Sequence, residues 1–171
     1  MYFMIIFPNY RNRNWYNLCL IILLLTGIGC GGEGKYPMTV QIISKDDAKY
    51  NTPKNAFAAL HSALLKGDME WAYQTFTKES AEELKRLHRE AGIDPGRVFD
   101  LERGVQDTYI IDKMQYKDAV LLVIEYHNKD GAIMKMPTTL IKEDQNWKNT
   151  NKFASDDELA EYMDYVKPEE R

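Results

Sequence analysis

His61, His88 and His127 are the three histidines of the chain, and each sits in a different chemical setting. His61 follows Phe57 by four residues, so on a helix the two share a face, with Asp68 and Tyr73 next along the chain. An imidazole turned toward a pocket and oriented by a carboxylate or phenol would be a general base; without such an acceptor it is an ordinary helix histidine. His88 falls among Lys85, Arg86 and Arg89, the composition of a solvated face. His127 stands two residues after Glu125, on the same face of a strand, where the pair could hold a metal or shuttle a proton. A third ligand is not evident, and a surface ion pair accounts for the same two residues. Among eleven tyrosines, Tyr73, Tyr109 and Tyr126 join Phe57 and His61 as candidates to line a cavity between a helix and a sheet. Buried tyrosine also serves as plain apolar area with one satisfied hydroxyl. No His-Glu-x-x-His, Cys-x-x-Cys, Gly-x-Ser-x-Gly or phosphate-loop pattern occurs, so no catalytic residue, metal ligand or cofactor is assigned.

The elements that must position these residues are legible from period and punctuation. Thr52-Pro53 is an N-cap followed by proline at the first helical position, Phe57, Leu60 and Leu64 recur at helical spacing, and Gly67 ends the run. Asp68 caps a second short helix over 69–76 that carries Trp71, Ala72, Tyr73 and Phe76. Ser80 with Glu83 reads as a capping box opening a third helix over 81–91, whose stripe of Leu84, Leu87 and Ala91 lays it across the end of the core. Asp94-Pro95-Gly96 is a turn. From Val105 the period becomes strand-like over 107–115, 118–127, 132–142 and 147–153, with turns at 128–131 and 143–146. This is an antiparallel meander, and Pro137 requires a bulge or an outward-facing nitrogen in its third strand. Trp147, after the last turn, is expected to pack into the sheet core. Val120, Leu122, Ile124 and Tyr126 share the face expected to meet the helices. Leu121, Val123, Glu125 and His127 share the other, which half-apolar face, joined by Ile133 and Ile141, needs a cover. Ser155 and Glu158 read as a capping box for a C-terminal helix whose stripe of Leu159, Tyr162, Met163 and Val166 would supply it.

The start of the chain has a separate organisation. Residues 18–29, LCLIILLLTGIG, form an uncharged apolar run preceded by Arg11 and Arg13, shorter than the roughly 20 residues a membrane span needs. This is the layout of a signal peptide, here residues 1–29. Cys30, with Gly29 before it, resembles the lipobox of bacterial lipoproteins, although Gly27 stands where leucine is usual. The resemblance implies cleavage before Cys30 and lipid attachment to its sulfur; the alternative is an ordinary secretory cut that leaves a free thiol. Cys19 lies inside the leader, so the exported chain has one cysteine and cannot form an internal disulfide. Residues 31–50, GGEGKYPMTVQIISKDDAKY, read with Cys30 as a tether that adds a short strand at 39–43. Removing Arg11 and Arg13 with the leader leaves 20 basic against 26 acidic residues, a formal charge of −6. That balance argues against nucleic acid or an anionic lipid surface as partner, leaving acyl chains to hold the protein at a membrane.

Thr52-Pro53, Gly67-Asp68, Tyr73 with Phe76, and the closing hairpin Leu140-Ile141-Lys142-Glu143-Asp144-Gln145-Asn146-Trp147-Lys148 together resemble the nuclear transport factor 2-like superfamily, in particular its small bacterial lipoproteins. The likeness covers about residues 50–153, and Asn149-Thr150-Asn151 departs from it where a hydrophobic strand is usual, which implies a short final strand. The expected fold is therefore α+β: N-terminal helices on a curved, cone-shaped antiparallel sheet of about four strands, with a C-terminal helix. The expected organisation is a leader over 1–29, a tether over 30–50, the domain over 51–154 and a helix and tail over 155–171. Members of that superfamily include isomerases, dehydratases, ligand binders and scaffolds, so the fold does not choose among them. The expected function is a non-enzymatic ligand- or protein-binding domain, lipid-anchored outside the cytoplasm, with the sheet as a surface for homodimerisation. The rival is a pocket enzyme working through His61 with Asp68 or Tyr73.

Overall fold

The first helix, α1 (Pro53–Lys66), begins as the sequence dictates. The Thr52 hydroxyl accepts the Asn55 N–H at 3.2 Å, and Gly67 closes the helix in the left-handed region at φ +67°. α2 (Met69–Gln74) is capped by the Asp68 carboxylate, which accepts the Trp71 N–H at 2.9 Å. α3 (Lys78–Glu90) starts earlier than the expected capping box at Ser80. Its N-cap is Thr77, because the Ser80 hydroxyl is committed elsewhere, accepting the Asn151 N–H at 2.9 Å. Only the first turn of α3 is buried, through Ser80 and Ala81; Leu87, expected on the apolar stripe, is exposed.

The computed structural model describes residues 35–92 and 104–167. The expected signal peptide, Cys30, the start of the expected tether, the expected turn at Asp94-Pro95-Gly96 and the last four residues lie outside the described residues. All described residues belong to one unit, 34–171.

The sheet is curved, antiparallel and six-stranded, two strands more than expected. Its spine is β1 (Met38–Thr39), β2 (Val105–Tyr116), β3 (Ala119–Asn128), β4 (Ile133–Glu143) and β5 (Asn146–Asn149), each paired with its neighbour in sequence. The meander follows from tight turns: Gly131 takes φ +88° between β3 and β4, and Asp144 and Gln145 both take positive φ between β4 and β5. β6 (Asp164–Val166) pairs with the opposite end of the same edge of β4, at Ile133–Lys135. The Asn128 N–H to Ala132 C=O bond sets the phase of the β3–β4 ladder and puts Pro137, opposite Val123, at a non-hydrogen-bonded position. Its nitrogen therefore points away from β3, between the stretches of β4 that β5 and β6 occupy, and no bulge is needed.

Tyr126, Ile124, Leu122 and Val120 face α1 and form the main core with Phe57, Ala56, Ile110 and Leu140. Trp71 and Ala72 of α2 join Ala59, Leu60 and Ala63 of α1 in an adjoining cluster. Of the segment read as a tether, residues 36–50 lie against this core: Val40 is buried, and Tyr36, Ile43, Ala48 and Tyr50 pack on it. Its strand is Met38–Thr39 rather than 39–43, since the Ile43 N–H goes to the Ser62 hydroxyl instead of to a ladder. Trp147 is only half-buried at the rim, its N–H bonded to the Tyr50 carbonyl at 2.7 Å.

The C-terminal helix is not formed. A 3-10 helix (Asp157–Tyr162) and β6 replace it. The expected Ser155–Glu158 box does not form: the N-cap position is Asp156, whose carboxylate accepts from Lys117 and Tyr116 and makes no cap hydrogen bond, and the Glu158 carboxylate accepts from the Tyr116 hydroxyl at 3.1 Å. The helix loses its continuation because the free edge of β4 takes 164–166 as a strand. Leu159 and Tyr162 still reach the second face of the sheet, where they pack with Phe153 and Ile141 on Ala119 and Leu121. The expected cover is thus present over one half of that face, while Met163 stays exposed.

Candidate ligand-binding clefts

The five residues expected to line one pocket fall into three places. Phe57, His61 and Tyr126 come together inside the helix–sheet layer: the Phe57 and His61 rings stack at 6.1 Å and 8°, and His61 meets Tyr126 at 6.1 Å. All three are buried, at 2, 3 and 8 % exposure, so they fill this interior themselves. Tyr73 points instead to α3, where its hydroxyl and His88 Nδ1 are 2.7 Å apart and Lys85 lies over its ring. Burial raises the Tyr73 phenol above its ordinary pKa of 10.0, against the opposing pull of Lys85 and Arg89. Tyr109 lies opposite Glu125 in the β2–β3 ladder and so belongs to the second face. Asp68 does not serve His61. One carboxylate oxygen caps α2, and the other lies 3.5 Å from Lys45 Nζ.

Open clefts are formed by the described residues on both sides of the sheet. The first, of about 500 Å³, reaches His61 from the mouth of the layer and is bordered by Thr39, Ile42, Asp107, Thr108 and Lys129. Thr108 Oγ1 is buried there with no hydrogen-bond partner among the described residues.

The second, of about 410 Å³, lies on the uncovered half of the second face, lined by Tyr36, Pro37, Tyr109, Ile111, Glu125 and His127. Alternation along β3 puts Glu125 and His127 side by side, and Glu125 Oε1 is 2.7 Å from His127 Nε2. Lys135, directly across the ladder on β4, brings its Nζ to 3.8 Å from Glu125 Oε2. The Tyr109 ring rests against the His127 ring at 5.0 Å, tilted by 60°. Among the described residues no group of three or more His, Cys, Asp or Glu is placed to hold a metal ion, and the third neighbour of the Glu125–His127 pair is a cation.

Sequence reasoning paired Glu125 with His127 but missed Tyr36, Pro37, Ile111 and Lys135. Lys135 could have been found, since the tight turn at 128–131 places it opposite Glu125 once the hairpin register is counted out. Tyr36 and Pro37 carried no such signal, because only tertiary packing lays the segment before β1 beside β2. The chain matches no protein-family model, no curated protein and no solved structure.

Proposed function

We propose that this chain is an exported bacterial protein held at the cell envelope by acyl chains on Cys30, carrying a nuclear transport factor 2-like domain that binds a small ligand or another protein without transforming it. The leader layout, the small residue before Cys30 and the single cysteine of the exported chain support the anchoring. Helices followed by an antiparallel meander, with α1 packed on one face of a curved sheet, are consistent with the cone.

The observation that carries the binding reading is the filling of the helix–sheet interior by Phe57, His61 and Tyr126. The place where an acid–base pair would meet a substrate is occupied by the protein's own rings, and Asp68 is engaged in a cap and an ion pair. Concave surface with mixed apolar and polar lining lies at the mouth of that layer and on the outside of the sheet, the composition of a recognition site.

The test is fractionation of expressing cells combined with mass spectrometry of what the native protein carries. Cys30→Ala is expected to move the protein from washed membranes to the soluble envelope fraction, and the native chain is expected to bring down a bound molecule or partner reproducibly. Retention of Cys30→Ala in membranes overturns the anchor; turnover of a co-purified small molecule overturns the non-catalytic reading.

A further inference from the structure

We propose that the cleft on the second face is a binding site for an uncharged saccharide, whose ring stacks on Tyr109 and whose hydroxyls bond to Glu125 and His127. The inference rests on the binding-domain reading and gives that reading a site and a ligand class.

The argument is one of elimination by charge and solvation. Glu125 is the acidic group of the cleft, and it already has Lys135 at 3.8 Å on one oxygen and His127 at 2.7 Å on the other. A cationic ligand would approach Lys135 as well as Glu125, and an anionic ligand would meet the carboxylate, so neither sign of charge is favoured. A wholly apolar ligand would strip water from Glu125 and His127 and replace it with nothing, which costs free energy. A neutral molecule with hydroxyl groups avoids all three penalties. An ionised carboxylate has about four acceptor positions, of which the His127 contact occupies one, leaving capacity for hydroxyl donors.

The remaining walls favour a ring with an apolar face. Tyr36, Pro37, Tyr109 and Ile111 supply hydrocarbon and aromatic surface around the polar pair. The contact of Tyr109 with the His127 ring holds that wall in position before a ligand arrives, so little order has to be imposed on binding. A pyranose presents C–H groups on its face and hydroxyls at its rim, which is the complement of an aromatic wall beside a hydrogen-bonding pair. The volume of about 410 Å³ lies within the range of small-molecule sites.

The experiment titrates the full chain, purified from the cells that express it, with maltotriose, cellotriose and N-acetylglucosamine trimer, and with tetramethylammonium and acetate as charged comparators. NMR of the tyrosine and histidine ring signals reads the site. At least one trisaccharide is expected to shift the Tyr109 and His127 signals saturably, with neither salt doing so, and Tyr109→Ala and Glu125→Gln are each expected to weaken binding by about tenfold or more. Glu125→Gln keeps the side-chain shape, so it reads the interaction even if Tyr109→Ala perturbs folding. No shift with any of the three sugars up to about 50 mM, a stronger response to either salt, or shifts confined to His61 overturns the proposal. If that happens while a partner or ligand is still recovered with the native protein, the saccharide site alone falls; if nothing is recovered either, the binding reading falls with it.

Discussion

Asn149 makes two hydrogen bonds to the same atom: its backbone N–H and its side-chain Nδ2 both donate to the carbonyl oxygen of Thr75, at 2.9 and 3.1 Å. Thr75 lies at the end of α2, and Asn149 is the last residue of β5, so this pair joins the helical layer to the final strand. The neighbouring Thr77 N–H returns a bond to the Asn149 carbonyl at 2.9 Å. Asn149 is 1 % exposed, so these bonds lie where water does not compete.

Asn149→Ala is therefore expected to destabilise the domain by about 1–3 kcal/mol, the cost of losing a buried side-chain hydrogen bond and leaving a small void. Chemical denaturation of the variant and the parent measures the difference. An unchanged midpoint would mean that the β5–α2 connection is carried by the backbone bonds alone.

Leu159 is the buried residue of the segment that covers the second face, with Phe153 and Leu121 in the same cluster. Leu159→Ala is expected to cost about 2–4 kcal/mol. Deleting 155–171 is expected to expose the Ala119–Leu121 end of that face and cause self-association, seen by light scattering. A truncated chain that is monomeric and as stable as the parent would show that Phe153 suffices as the cover.

The same segment is fastened by the Lys117–Asp156 ion pair, 2.7 Å long, with the Tyr116 hydroxyl donating to Asp156 at 3.0 Å. The hydrogen bond that Lys117 donates holds the Asp156 carboxyl below its ordinary 3.8, and the same bond raises Lys117 above 10.5. A lowered acid stabilises the fold above its unfolded pKa and loses that contribution as pH falls through the folded value; a raised amine does so below its unfolded pKa and loses it as pH rises. The fastening is thus complete between these limits and lost at both extremes. Asp156→Asn is expected to lower the melting temperature at neutral pH and to match the parent once pH has fallen well below 3.8. An equal gap at both pH values would mean that the pair contributes nothing through its charge.

Wherever a single side chain or a short period decides the outcome, the sequence was sufficient. Thr52, Asp68 and Gly67 delimit α1 and α2 by local hydrogen bonds and a positive φ, which no distant residue alters. The turns at 128–131 and 143–146 enforce the meander, and alternation along β3 separates its two faces and pairs Glu125 with His127. Only the tertiary structure decided the rest. Ser80 accepts from Asn151 and Glu158 accepts from Tyr116, so the two capping boxes read at Ser80–Glu83 and Ser155–Glu158, valid locally, did not cap. Residues 155–166 had a helical stripe, but the open edge of β4 took the last three as a strand because backbone groups without partners are costlier than a lost helical turn. The cleft walls Tyr36 and Pro37 were invisible for a related reason: their place depends on β1 pairing with β2 some seventy residues later, a contact that no local spacing encodes.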